Sequence, residues 1–193
     1  MIVLGLTGSI GMGKSTTAEF FRDEGIPVFD ADAAVHELYE GKATGSVEKR
    51  FPGTAKNGHV DRPALAKALI EDPTGFRDLE NIIHPLVRQA EIDFIDTNRS
   101  NGSKFVVLDI PLLFESGGDE LCDKVIVVTA PEVIQRARVL SRPGMTADKF
   151  AQLLNRQMND ADKRCRADFL VFTHEGVANA RQQVKDILSS LDK

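Results

Sequence analysis

The 193-residue chain carries 24 Lys and Arg against 29 Asp and Glu, a formal net charge of −5, which lacks the basic footprint of a nucleic-acid binder and leaves any anionic ligand to a local cluster of donors. Its length suits one well-buried domain with room for a small inserted lobe. The longest apolar run, Phe105 to Phe114, is broken by Asp109 and Pro111, so no segment reaches the ~18 uninterrupted apolar residues of a membrane span.

Ile2 to Thr7 opens the chain as an apolar, β-branched run, with no basic stretch before it such as a signal peptide would carry. Directly after it, Gly8-Ser9-Ile10-Gly11-Met12-Gly13-Lys14-Ser15 matches GxxxxGK[ST]. Each fixed position has a task. The glycines let backbone N–H groups approach phosphate oxygens where a Cβ would clash. Lys14 reaches the β- and γ-phosphates and the Ser15 hydroxyl binds Mg²⁺. The helix that follows, Lys14 to Asp23, aims its positive end at the same anion and carries Ala18 and Phe21 on one face. Gly8, Gly11, Met12, Gly13, Lys14, Ser15 and Thr16 are therefore the expected ATP contacts. A dinucleotide fingerprint fails because Thr16 stands where its third glycine belongs.

Pro27 to Phe29 reads as a second short strand, leading into Phe29-Asp30-Ala31-Asp32. These carboxylates admit two readings. At the carboxyl end of a strand they point toward a reacting phosphate, where an Asp accepts the proton of an acceptor hydroxyl. Alternatively, Asp30 is an N-cap and Asp32 a first-turn residue favoured by the helix dipole.

About 75 residues then precede the third strand, Phe105 to Ile110, far more than a crossover helix needs. They hold a helix from about Ala33, a Gly/Lys-rich patch from Gly41 to Gly58, a helix opened by Pro63, and one from His84 or Pro85 to about Asn98. The expectation is a mostly helical insertion over about residues 33–100. The pre-proline geometry of His84 suits a helix start. Asp72-Pro73-Thr74-Gly75 spells DxxG, yet no apolar strand leads into it, and it reads as coincidence.

Asp109, at the end of the third strand, resembles a carboxylate that holds Mg²⁺ through water, although a strand core followed by a polar loop accounts for it equally. Lys124 to Thr129 and Asp168 to Phe172 are the fourth and fifth strands. Between them lies a polar segment, a lid over about residues 138–164. With its flanks it carries Arg136, Arg138, Arg142, Arg156, Arg164 and Arg166. A solvated face is the default, but phosphoryl transfer needs cationic clamps, and at least two of these are expected on ATP phosphates. Val177, Ala180, Val184, Ile187 and Leu191 close the chain at helical spacing. Cys122 and Cys165 have no metal-ligand spacing and are expected as two buried thiols of a reduced, cytoplasmic protein.

Continuously apolar strands alternating with helices imply an α/β fold: a five-stranded parallel sheet with helices on both faces. With its P-loop, helical insertion and lid, this is the build of a single P-loop kinase domain spanning residues 1–193. Neither the NKxD of a GTPase nor the LSGGQ of a transporter ATPase occurs. A kinase for another small acceptor, such as a nucleotide, and an ATP-dependent switch remain rival readings. No obligate protein partner, membrane or nucleic acid is called for.

The chain also resembles the dephospho-CoA kinase family nearly end to end. The resemblance rests on Leu6-Thr7-Gly8 through Thr16, Asp30-Ala31-Asp32, His84-Pro85-Leu86, Pro111-Leu112-Leu113-Phe114-Glu115, Gln135 with Arg138 and Arg142, Gln157, and Ala167-Asp168-Phe169. It implies transfer of the ATP γ-phosphoryl group to the ribose 3′-hydroxyl of dephospho-CoA, with Mg²⁺. It also implies a CoA-binding lobe in the first insertion, Asp32 as base and Arg138 on the transferred group. Asp30, His84, Leu113 and Glu115 would lie along the acceptor site. Two positions depart from the family pattern: Phe172-Thr173 stands where an Asp-Asn pair is usual, and Leu153 where Arg is usual.

Overall fold

The computed structural model describes residues 1–192. Its chain divides into two compact units, residues 1–29 with 97 onward, and residues 30–96.

The first unit is built on a five-stranded sheet in the order β2-β5-β1-β6-β7. Its strands are β1 (Ile2–Thr7), β2 (Val28–Asp30), β5 (Phe105–Asp109), β6 (Lys124–Thr129) and β7 (Phe169–Phe172). The apolar runs of the sequence account for this assignment, because β1, β5 and β6 are buried along nearly their whole length and only a strand covered on both faces tolerates that. Pairing is parallel, with Leu4 opposite Val107 and Lys124, and Ile126 opposite Phe169. The chain departs from central β1 toward β5 and β2 on one side and toward β6 and β7 on the other. Such a reversal of strand order leaves a crevice at the carboxyl ends of the strands. Helices α1 (Lys14–Asp23) and α9 (Val177–Leu191) close the main core with Ala18, Phe20, Phe21, Ala180, Val184 and Ile187 against Leu4, Leu6, Val107, Ile126, Val128 and Val171. Each such large side chain contributes roughly 1.5–3 kcal/mol by leaving water. Helices α6 (Glu132–Leu140), α7 (Ala147–Leu154) and α8 (Asp160–Cys165) connect β6 to β7.

The second unit holds α2 (Ala31–Tyr39), α3 (Thr44–Arg50), a hairpin of β3 (Ala55–Lys56) and β4 (His59–Val60), α4 (Arg62–Glu71) and most of α5 (Gly75–Ser100). Its own core gathers Leu38, Tyr39, Val47, Phe51, Val60, Leu65, Leu69 and Ile83. This unit thus has a core of its own.

Two expectations are corrected, and one segment left without an assignment gains one. The Gly/Lys-rich patch is structured: Asn57 and Gly58 both have positive φ, 53° and 84°, the conformation of a two-residue hairpin turn that an Asn-Gly pair favours. Helix α5 begins at Gly75, so Pro85 lies inside it and not at its start; the missing proline N–H is tolerated because packing of the long amphipathic helix outweighs one backbone bond. The cysteines are not both buried, since Cys165 is exposed and Cys122 half-buried. Asp72-Pro73-Thr74-Gly75 is a structural turn: Asp72 accepts the Thr74 N–H at 2.8 Å and an Arg50 N–H at 2.5 Å.

Candidate active site

The loop after β1 forms a cradle for reasons that can be traced residue by residue. A Cβ on Gly8 would lie 2.7 Å from the Val128 carbonyl oxygen of β6. Gly11 and Gly13 have φ of 80° and 98°, a region in which L side chains are strained. A Cβ on Gly11 would also collide with a Val139 methyl group, and one on Gly13 would crowd Thr173. Gly13 is the N-cap of α1 and supplies no side-chain cap. The first-turn N–H groups of that helix are therefore left to an anion.

Neighbouring elements hold the loop in shape. The Ile10 carbonyl accepts from Gln135 Nε2 of α6 at 2.8 Å, and the Ile10 N–H donates to Gln157 Oε1, just past α7, at 3.1 Å. Met12 is buried; its sulfur accepts the Ala130 N–H at 3.2 Å and its carbonyl accepts the Thr173 hydroxyl at 2.7 Å. The sequence pointed to Gln135 and Gln157 only through resemblance. Their work is to occupy the polar backbone of Ile10, which frees the glycine-rich part of the loop for a ligand.

Lys14 Nζ lies 2.6 Å from Asp109 Oδ1. Asp109 is 4% exposed at the end of β5, so the carboxylate anticipated as a metal-side group sits beside the lysine meant for phosphate. Ser15 and Thr16, in the first turn of α1, are exposed. Hydroxyl and carboxylate oxygens are the hard donors that Mg²⁺ takes. Among the described residues no group of three or more His, Cys, Asp or Glu could hold a metal ion.

The arginines separate into two kinds. Arg138, on the last turn of α6, donates from Nη1 to Thr173 Oγ1 and from Nη2 to the Thr173 carbonyl, both at 2.8 Å. Arg138 and Arg142 line a cleft of about 260 Å³ together with Gly11, Gly13, Thr16 and Thr173. Arg164 instead faces Asp160 one turn earlier, at 3.5 Å. Arg166 pairs with Asp119 at 2.8 Å and lies over the Phe114 ring. Arg136 is exposed.

The Pro111–Glu115 turn has an anchoring partner that the sequence did not suggest. Leu113 is fully buried under Gly5 and Gly118. Glu115 Oε1 accepts the Met158 N–H at 2.7 Å and pairs with Lys163 Nζ at 3.0 Å. Lys163 is 0% exposed and also reaches toward the Pro111 carbonyl, which accepts the Thr7 hydroxyl at 3.0 Å. A lysine within a run of Arg, Lys and Asn reads as solvated, and no periodicity marks it otherwise.

In the second unit, Asp30 Oδ1 accepts the Ala33 N–H at 3.0 Å, which makes Asp30 the N-cap of α2. Asp32 is an exposed residue of the same helix's first turn. His84 is exposed on α5.

A phosphate cradle, a paired lysine and a two-arginine cleft characterise a wide superfamily; a match along the whole chain is narrower. Residues 2–179 match the model of the family described as Dephospho-CoA kinase. The chain belongs to the dephospho-CoA kinase family. It is 53% identical over 191 residues to the dephospho-CoA kinase of Agrobacterium fabrum, covering 99% of this chain and 98% of that protein. Among solved structures it is similar to a Thermus thermophilus protein, with a TM-score of 0.84 and 32% identity over 98% of this chain and 97% of the other. It is also similar to the dephospho-CoA kinase of Campylobacter jejuni, with a TM-score of 0.76 and 26% identity over 98% and 96% of the two chains.

Proposed function

We propose that this chain transfers the γ-phosphoryl group of ATP to the ribose 3′-hydroxyl of dephospho-CoA, giving CoA and ADP. The observation that carries the reading is membership of the dephospho-CoA kinase family over residues 2–179 by a chain whose P-loop has the geometry of a phosphate cradle. The loop N–H groups and Lys14 hold the β- and γ-phosphates. Ser15, with Asp109 through water, would hold Mg²⁺, which would supply neutralisation of charge on the phosphate oxygens. Asp32 accepts the proton of the 3′-hydroxyl as its oxygen bonds to the γ-phosphorus and the bond from that phosphorus to the bridging oxygen of ADP breaks. Asp32 is exposed in the first turn of α2, and a loose transition state asks little of the base. Arg138, with Arg142, meets the charge on the phosphates. Asp30, His84, Leu113 and Glu115 are assigned to the acceptor, Leu113, whose side chain is fully buried, acting through the turn that carries Glu115. The reaction calls for no nucleic acid, membrane or protein partner and belongs in the cytoplasm; no helix among the described residues is long and apolar enough to cross a membrane.

The test is an ADP-release assay across dephospho-CoA, nucleoside monophosphates, shikimate and gluconate. Dephospho-CoA is expected to exceed every other acceptor in kcat/KM by at least ~10³, about 4 kcal/mol of transition-state binding. Equal turnover of AMP or CMP would remove the acceptor assignment and leave a kinase of another specificity. ATP hydrolysis with no phosphorylated acceptor would favour a switch.

A further inference from the structure

We infer that Thr173 is a positioning residue of the nucleotide site, coupling the shape of the P-loop to the placement of Arg138. The inference rests on reading the cleft beside Gly11 and Gly13 as the ATP site, and is independent of the acceptor.

Thr173 follows β7 directly, at the carboxyl edge of the sheet. Its hydroxyl has one proton and lone pairs to spare, and each is used. The proton goes to the Met12 carbonyl at 2.7 Å, inside the P-loop. A lone pair accepts Arg138 Nη1 at 2.8 Å, while the Thr173 carbonyl accepts Nη2 at the same distance. The planar fork of a guanidinium engaged at two nitrogens is held in direction as well as in place. The third contact is steric: a Cβ built on Gly13 would meet Thr173 side-chain atoms at 3.1–3.3 Å, so the side chain seats on the residue that caps α1. One residue thus bonds the loop carbonyl, fills the space that Gly13 leaves, and holds the arginine that lines the same cleft.

The identity of residue 173 matters because the two Arg138 bonds differ in origin. Any residue presents a carbonyl to Nη2; only Ser or Thr offers a small hydroxyl that donates to Met12 while accepting from Nη1. Without it the arginine keeps one bond, and its long side chain regains rotamers that the cleft must then order on binding. The placement of Arg138 is set by its seat on α6 and its two bonds to Thr173. In the sequence, position 173 stands out only as a departure from the family pattern.

The experiment is equilibrium binding of ATP·Mg²⁺ by calorimetry to the wild type, Thr173→Val, Thr173→Ala, Thr173→Ser, Arg138→Ala and the Arg138→Ala/Thr173→Val double variant. Thr173→Val keeps the shape and removes the hydroxyl; it is expected to weaken binding about 5–10-fold, within the range for the loss of one ordinary hydrogen bond. Thr173→Ala, which relieves any crowding at Gly13, should show a loss of similar size, and Thr173→Ser should stay within about twofold of wild type, since it retains the hydroxyl. In the Arg138→Ala background, Thr173→Val should cost less than about twofold, because its effect passes through the arginine. Wild-type affinity in Thr173→Val, the same fold loss with and without Arg138, or a Ser variant as weak as Val would each overturn the proposal. Wild-type turnover of dephospho-CoA is measured alongside. Its absence with the binding cycle intact would end the acceptor reading and leave the role of Thr173 standing.

Discussion

Lys14 Nζ and Asp109 Oδ1 stand 2.6 Å apart although 95 residues separate them. The pair joins the first turn of α1, just after the glycine-rich loop, to the end of β5, whose carboxylate is proposed to face Mg²⁺. Lys14→Ala is expected to lower kcat by ~10²-fold or more, since it removes a charge aimed at the transferring group in a water-poor site. Asp109→Asn keeps the size of the side chain and removes its charge. It should raise the Mg²⁺ concentration needed for half-maximal rate by about tenfold if the carboxylate helps hold the ion. Steady-state kinetics at several Mg²⁺ concentrations check both, and an unchanged Mg²⁺ requirement would make Asp109 only the anchor of Lys14.

The two carboxylates at the start of α2 should separate by what they damage. Asp30 caps the helix through the Ala33 N–H, and Asp30→Ala should lower stability by about 1 kcal/mol. Asp32 makes no cap bond of that kind, and Asp32→Asn should lower kcat by roughly 10²–10⁴-fold with a stability change of only ~0.3–1 kcal/mol. Thermal unfolding and kinetics on the same preparations decide. Near-normal kcat in Asp32→Asn would move the search for the base elsewhere.

Lys163 and Glu115 form a pair in which the lysine is wholly buried and the glutamate side chain 20% exposed. Removing one partner strands the other, so Lys163→Met is expected to destabilise the protein by about 3 kcal/mol. Lys163→Met combined with Glu115→Leu should recover a large part of that loss, because an apolar pair carries no desolvation penalty. Urea unfolding gives the three values. A double variant no better than the single one would show that the Met158 N–H, which also bonds Glu115, is the more important partner.

The Asp72 carboxyl is held down to about 2, first by its hydrogen bond from Arg50 and then by the N–H and hydroxyl of Thr74. A carboxylate depressed below its unfolded value of 3.8 lends stability that is fully present above the unfolded value and is lost as pH falls toward 2. Titration of the side-chain carboxyl by NMR should find Asp72 among the lowest Asp values in the protein. In Arg50→Gln it should return most of the way to the ordinary range. An unshifted Asp72 in the wild type would mean that the Arg50 fork spends its time on Asp78, which it also contacts at 2.6 Å.

By itself the sequence determined what is written into consecutive residues. Gly8 to Ser15 carries its own backbone requirement, the buried strands announce themselves as unbroken apolar runs, and Val177 to Leu191 shows its helical face by spacing alone. Asn57-Gly58 was also legible, as a two-residue hairpin signal that the surrounding polar patch obscured. Pro85 misled because a proline weakens a helix locally, whereas the length of α5 is set by the apolar face it presents along many turns. Tertiary structure decided which polar residues meet. The bond from Thr173 to the Met12 carbonyl spans 161 positions and that from Gln157 to Ile10 spans 147, and both exist because the order β2-β5-β1-β6-β7 brings those strand ends to one edge. Local pattern carries no record of strand order. Hence Lys163 and Arg136 look alike in the sequence, while one is sealed beneath the Pro111–Glu115 turn and the other stands in solvent.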